Sequence, residues 1–292
     1  MKILITGKNG QVGNSLVLQL QNMPSVSFLA LSRDELDITI AKQVEQVVNE
    51  YKPSIIINAA AYTAVDKAES EVELANAINC LGPQYLAKAA KQVNAAIIHI
   101  STDYVFAGDK LGLYSEIDEV NPQGVYGQTK LAGEQAVIQE CAAHVILRTS
   151  WVFSEFGNNF VKTMLRLAGT RDTLSVVGDQ FGGPTYAADI ASSIIKIAQD
   201  IEEGSSKFGV YNYSGYPHVS WCEFATQIFK NALTHNVINS PIKVNPITTA
   251  DYPTPAKRPA NSKLDCNKIA NEFNIAPSDW KSALNYIRKY QK

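Results

Sequence analysis

Short, nearly continuous runs of aliphatic and β-branched residues recur through the first half of the chain: Lys2–Thr6, Val26–Ala30, Ser54–Asn58, Ala96–Ile100 and His144–Thr149. They are too short for helices and lack the alternation of a sheet with one wet face, so they fit strands covered on both sides. The intervening stretches Gln11–Gln21, Ala41–Tyr51, Ser70–Val93 and Gln128–Cys141 are expected to be helices. Strand and helix in alternation predict an α/β fold with a parallel sheet between two helical layers. Right-handed crossovers make that sheet doubly wound and Rossmann-like, with its ligand crevice at the carboxyl ends of the strands.

The second half is less regular. Helical spacing recurs at Asn159–Ala168, Ala187–Asp200, Ser220–Leu233, Asp265–Phe273 and Ser278–Tyr290, and the Pro-rich stretch Pro241–Pro259 reads as an ordered loop near a ligand. At 292 residues the chain exceeds the size at which one core stops growing. The expected division is a dinucleotide-binding domain over residues 1–150, with segments around 170–215 interleaved into it. Residues of about 151–169 and 216–292 then form a smaller, mostly C-terminal substrate-binding lobe.

Composition narrows the function by exclusion. A net charge of -2 without a basic cluster offers no footprint for nucleic acid. Apolar runs such as Ile55-Ile56-Ile57 are far below membrane-spanning length. The strand pattern starts at the second residue, so no signal peptide and a cytoplasmic location are expected. Cys80, Cys141, Cys222 and Cys266 are widely separated, which fits reduced thiols rather than disulfides or a metal site. His99 and His144 fall inside apolar strands and read as packing residues.

The polar residues that carry chemistry lie at the strand ends. Gly7-Lys8-Asn9-Gly10-Gln11-Val12-Gly13 sits between a strand and a helix, where glycines let the backbone approach a pyrophosphate and a helix N-terminus stabilises it. Ser32-Arg33-Asp34 ends the second strand; Ser32 and Arg33 favour the 2′-phosphate of NADPH, while Asp34 leaves NADH as an alternative. Tyr126 and Lys130 are four apart at the start of a helix and share a face. Lowering a phenol from about 10 towards 7 takes about 4 kcal/mol. An ammonium about 4 Å away supplies roughly that at an effective dielectric near 20. Tyr126 is therefore expected to work as an acid or base near neutral pH. Thr102, at the end of the fourth strand, can hydrogen-bond the same reacting oxygen.

These segments together resemble the extended short-chain dehydrogenase/reductase superfamily. Within it, the stretches Ala61-Tyr62-Thr63-Ala64-Val65-Asp66, Ser101-Thr102-Asp103-Tyr104-Val105-Phe106, Tyr126-Gly127-Gln128-Thr129-Lys130, Asp179-Gln180-Phe181-Gly182-Gly183-Pro184-Thr185 and Arg258-Pro259-Ala260-Asn261-Ser262 resemble the dTDP-4-dehydrorhamnose reductase family. The resemblance implies hydride transfer from NAD(P)H to the C4 carbonyl of a dTDP-linked 4-keto-6-deoxyhexose, with Thr102, Tyr126 and Lys130 as catalytic residues. It implies cofactor contacts from Gly7, Asn9, Gly10, Gln11, Val12, Gly13, Ser32, Arg33, Asp37, Ile38, Ala59, Ala60, Ala61, Tyr126 and Lys130. Substrate contacts would come from Thr63, Val65, Thr102, Tyr104, Tyr126, Trp151 and Arg258, the last on the diphosphate. Sugar-nucleotide dehydratases of the superfamily carry Thr-Asp-Glu where this chain has Thr102-Asp103-Tyr104, so reduction is expected rather than water elimination. Some family members pair through a magnesium site made by glutamates near the first helix. Here Ser15 and Asp189 occupy those stretches, so the expectation is no metal and a monomer or weak homodimer. Two rival readings stay open: a reductase or epimerase of another nucleotide-linked keto sugar, and a non-catalytic regulatory subunit of the same fold.

Overall fold

The computed structural model describes residues 1–291; Lys292, the last residue of the expected lobe, lies outside the described residues. Six parallel strands form the main sheet: β1 (Lys2–Thr6), β2 (Ser27–Leu31), β3 (Ile55–Asn58), β4 (Ala96–Thr102), β5 (His144–Thr149) and β10 (Gly209–Asn212). Their order is β10-β5-β4-β3-β1-β2. The chain leaves β1 for β2 on one side and returns to β3 on the other, which opens a crevice between β1 and β3 at their carboxyl ends.

Neighbouring side chains of β1 serve opposite cores. Ile3 and Ile5 pack with Leu16 of α1 (Gln11–Leu20) and with Ile190 and Ile194 of α8 (Ala187–Glu202). Leu4 packs with Val44 and Val48 of α2 (Ala41–Tyr51) and Leu86 of α5 (Gly82–Gln92). This is the period-two pleat acting on a continuous apolar run.

The expected helix Ser70–Val93 is broken. It consists of α4 (Val72–Asn76), a π turn at Ala77–Leu81, and α5. Pro83 lacks the N–H that would bond the Asn79 carbonyl, so the ladder shifts and that carbonyl turns outward. The freed oxygen meets α6 (Val125–Glu140) at Gly133, where an added Cβ would lie 2.0 Å from it. Gly127 makes the same approach to Tyr104 O, at 2.2 Å from a built Cβ. Helix α6 also starts three residues earlier than expected, because Glu69 accepts a hydrogen bond from Val125 N at 2.9 Å and caps the turn.

A further core gathers Phe153 of the short strand Val152–Phe153 with Val161, Met164, Phe224, Ile228 and Trp280 from α7 (Phe160–Ala168), α9 (Trp221–Thr234) and α11 (Trp280–Ala283). Strand β7 (Thr173–Val177) pairs with β12 (Lys243–Ile247) beside this core, while α8 packs on the main sheet and β10 forms its edge. The Pro241–Pro259 stretch is thus partly a strand rather than a loop. Pro246 hid it, since a strand with a missing donor survives only at the edge of a small sheet. The last expected helix is α11 followed by a 3-10 turn, on which Leu284, Ile287 and Tyr290 recur every three residues and are all buried.

Glu134 of α6 accepts two hydrogen bonds from Arg148 of β5, at 2.9 and 2.7 Å, with both side chains almost wholly buried. This pair fixes the helix to the sheet. Glu134→Ala leaves a buried guanidinium without its partner and is expected to lower stability by about 3–5 kcal/mol, measured as the shift of a urea unfolding curve.

Candidate active site

Gly7 has φ +75 and faces the β3 end so closely that a Cβ there would sit 2.6 Å from Ala60 N. Gly13 lies against Gly7 O, with 2.1 Å to a built Cβ. Gly10 starts α1 with no side-chain cap, leaving the first-turn amides open for an anion. A cleft of ≈ 400 Å³ runs between β1 and β3, and Gly7, Asn9, Gly10, Ser32, Arg33, Asp37, Ile38, Ala59, Ala60, Ala61 and Thr63 line it.

Not every expected cofactor residue turns its side chain to this cleft. Gln11 Oε1 accepts from Ser154 Oγ and Asn159 Nδ2, each at 3.0 Å, and Val12 packs in the core. These two can offer only backbone amides. Ser32 donates its hydroxyl to Glu35 at 2.7 Å, while Lys8 pairs with Glu35 at 2.6 Å. The Lys8 and Ser32 hydrogen bonds lower the Glu35 carboxyl to about 2. Arg33 is mostly exposed, with only Asp37 nearby at 3.8 Å, so its guanidinium remains available to a phosphate.

Where β4 ends, Thr102 and Tyr126 both lie against Tyr104, whose N–H reaches Thr102 and whose ring meets that of Tyr126. Thr102 Oγ1 donates to Asp103 Oδ1 at 3.0 Å and accepts from Tyr104 N at 3.3 Å. Lys130 is buried, and its Nζ donates to Ile100 O at 2.6 Å. Burial lowers Lys130 to about 8 against the opposing pull of Glu134. The expected lowering of Tyr126 does not occur in the protein by itself. Burial raises the phenol instead, Thr102 offsets only part of that rise, and Asp103 and Tyr104 add smaller upward pulls. Lys130 Nζ is spent on the Ile100 carbonyl, so desolvation wins.

On the substrate side, the Tyr104 ring meets the Tyr126 ring edge-on at 5.4 Å. Arg258 donates to Tyr104 Oη at 3.1 Å and to Asp66 Oδ2 at 2.6 Å, so the expected diphosphate ligand is already paired within the protein. Val65 opens the short helix α3 (Val65–Ala68) that carries Asp66. Trp151 has φ +49, a strained conformation for a bulky residue, and stacks on Trp221 at 3.5 Å between centroids. Its opposite contact is Gly182, where a Cβ would fall 2.6 Å from the indole. Trp151 is therefore half-buried in an aromatic stack, not a freely presented platform.

Comparison with known proteins decides among the readings of this cleft. The model of the RmlD substrate binding domain matches residues 1–291. The dTDP-4-dehydrorhamnose reductase of Aggregatibacter actinomycetemcomitans is 53% identical over 290 residues, covering 99% of both chains. The chain belongs to the dTDP-4-dehydrorhamnose reductase family. Its fold is similar to the crystal structure of the Clostridium acetobutylicum reductase, with TM-score 0.91 and 41% identity over 99% of this chain and 98% of that one. The Bacillus anthracis reductase, solved in complex with NADP, gives TM-score 0.89 and 41% identity over 98% of each chain.

Several residues beside the family motifs escaped the sequence reading. His99, read as packing, lies 3.4 Å from Lys130 Nζ. Asn79 holds the Tyr62 backbone through Tyr62 N at 2.8 Å and donates to Thr129 Oγ1 at 3.2 Å. Trp221 backs Trp151. The one available signal was charge inside apolar pattern: Glu134 four residues after Lys130, and Arg148 within a buried strand. A wider groove of ≈ 850 Å³ between α7 and the C-terminal turn is lined by Asn158, Lys162, Arg166 and Tyr290, none of them an expected catalytic, cofactor or substrate residue.

Asp103 is buried, and desolvation raises its carboxyl from 3.8 to about 6. Ser262 lies near enough to soften that rise, yet neither Asp103 Oδ2 nor Ser262 Oγ has a well-formed hydrogen bond. Between those two values the folded chain keeps a proton that the unfolded chain has released, so stability falls as pH rises through the window. The full cost above pH 6 is about 3 kcal/mol at 1.36 kcal/mol per unit. Asp103→Asn keeps an oxygen for Thr102. It should be more stable than the parent by about 1–3 kcal/mol near neutral pH and lose that margin below about pH 4, as read from urea midpoints at the two conditions.

Proposed function

We propose that this chain reduces the C4 carbonyl of dTDP-4-dehydro-L-rhamnose to give dTDP-L-rhamnose, with NADPH as the preferred hydride donor. The observation that carries the reading is the convergence at the end of β4, in a chain of this family: Thr102 accepts from Tyr104 N, the Tyr104 ring meets Tyr126, and Lys130 donates to Ile100 O. Gly7, Gly10 and the first-turn amides of α1 would hold the pyrophosphate, Arg33 the 2′-phosphate, and Lys130 with Tyr126 the nicotinamide ribose. When bound, the nicotinamide supplies the hydride.

The protein's own groups supply the rest. Thr102 orients the carbonyl oxygen, and Tyr126 donates its proton as negative charge develops there. A buried phenol with a raised pKa suits this direction of reaction. It keeps its proton at neutral pH and yields it only to a stronger base, and an alkoxide is one. Tyr104 stands where dehydratases of the superfamily carry Glu, and a phenol in that place gives elimination no carboxylate. Trp151, Val65 and Thr63 would border the sugar, and Arg258 the diphosphate once it exchanges Asp66 for phosphate oxygens. The lobe of about 151–169 and 216–292 would form the substrate side of the cleft.

No helix among the described residues is long and apolar enough to cross a membrane. We place the enzyme in the cytoplasm and read it as a monomer or metal-independent weak dimer. Two observations favour that assembly. Ser15 Oγ is used on Gln11 O at 2.9 Å, and Asp189 accepts from Ser278 at 2.6 Å.

Purified protein with dTDP-4-dehydro-L-rhamnose should oxidise NADPH, followed at the reduced-nicotinamide absorbance. Tyr126→Phe should lower kcat by roughly 10²–10⁴-fold, the usual worth of a general acid, with NADPH affinity changed only a few-fold. Turnover of another nucleotide sugar but not this one would move the assignment to a different keto sugar. Undiminished turnover by the Phe variant would remove Tyr126 from its role.

A further inference from the structure

A chain of buried polar side chains runs under the catalytic helix, and no function so far described uses it. Thr6 Oγ1 donates to Asn58 Oδ1 at 2.7 Å, and the Ala60 amide donates to the same oxygen at 3.1 Å. A backbone N–H can only donate, so the orientation of the Asn58 amide is fixed. Asn58 Nδ2 therefore donates to His99 Nδ1, 3.0 Å away. With Nδ1 accepting, a neutral His99 must carry its proton on Nε2. An imidazolium would set an Nδ1–H against the Asn58 NH₂, and burial with the nearby Lys130 charge also holds the ring neutral.

His99 Nε2 faces Lys130 Nζ at 3.4 Å, while Nζ donates to Ile100 O at 2.6 Å. An ammonium has three donors and no acceptor, so its approach to Nε2–H is donor against donor. An amine has two donors and a lone pair: the lone pair can take Nε2–H while one N–H keeps Ile100 O. We propose that His99, locked by Asn58 in its Nε2–H tautomer, is a positioning residue that aims Lys130 Nζ and makes its pocket fit the amine better than the ammonium. Sequence position alone made His99 look like filler in an apolar strand.

The other charged and titratable groups around Nζ come from three elements. Glu134, on the same helix, favours the ammonium, but it is neutralised by Arg148 of β5. Tyr126 lies one turn earlier on α6, with Asp103 and Tyr104 beyond it on the β4 end. The lowering of Lys130 to about 8 agrees with a pocket that disfavours the charge.

The test uses full-length protein and needs neither cofactor nor sugar for its first two arms. Imidazole ¹⁵N shifts, with the His99 signal identified by its loss in His99→Gln, should show a neutral Nε2–H ring across the stable pH range. An Nδ1–H tautomer or an imidazolium would overturn the proposal. The ε-¹³C lysine signal that Lys130→Arg deletes should titrate near neutrality. In Asn58→Asp, a carboxylate accepts from Nδ1–H, so Nε2 turns its lone pair to Lys130. In His99→Gln, the amide can turn its oxygen there. Both changes should raise the Lys130 midpoint by about one pH unit or more. Folded variants with an unmoved midpoint would refute the assignment, whereas a purely structural residue would change stability without this common shift. In the third arm, the basic limb of the kcat–pH profile should move in the same direction and by a similar amount. Only this limb rests on the reductase reading, so a wrong substrate and a wrong tautomer fail separately.

Discussion

Everything in the catalytic half depends on how closely α6 lies against backbone. Gly127 and Gly133 remove the side chains that would otherwise strike Tyr104 O and Asn79 O. Held by these two contacts, the helix presents Tyr126 and Lys130 on one face, aimed at the end of β4. A helix held off by even one methyl group at each point would carry the phenol away from Thr102. The partner surface is prepared for this approach, since Pro83 frees the Asn79 carbonyl and the π turn brings it forward. Glu134 and Arg148 then hold the helix in register through a buried, doubly bonded ion pair.

The site so formed is poor in free charge. Lys130 donates to a carbonyl, His99 is neutral, Arg258 is paired to Asp66, and Asp103 has a raised pKa. Desolvation sets the direction for Lys130, His99 and Asp103, and it suits a reaction whose one transient charge is an oxygen anion. Water kept out of such a pocket makes each remaining donor stronger. The cleft for the dinucleotide works by the opposite means. It is open backbone, with glycines and a bare helix start, because a pyrophosphate needs many donors at close range.

The sheet was legible from the sequence because buried parallel strands read as unbroken apolar runs: all five expected strands lie within two residues of the observed ones at either end, and β1 and β5 match at both. The sixth strand, Gly209–Asn212, was missed; Tyr211 and Asn212 interrupt its apolar character. The helix over residues 70–93 was misread because periodicity persists through a π turn that only a missing proline donor reveals. At the proposed site, Thr102, Tyr126 and the glycine turn stand out in the sequence as spaced motifs. The electrostatics were not. A pairwise argument from Lys130 to Tyr126 gave the wrong sign for the free protein, because it omitted burial and the Ile100 carbonyl. His99 and Asn58 could not be distinguished from core residues, since their meaning lies in which atom faces which neighbour.

The account turns on direct transfer of hydrogen from the nicotinamide to the sugar carbon whose oxygen Tyr126 protonates. Reduction with NADPH carrying deuterium on one face of nicotinamide C4, with the product analysed by proton NMR, tests that transfer most directly. The account expects complete, face-selective appearance of the label at C4 of the sugar. Label lost to solvent, or found at another carbon, would contradict it.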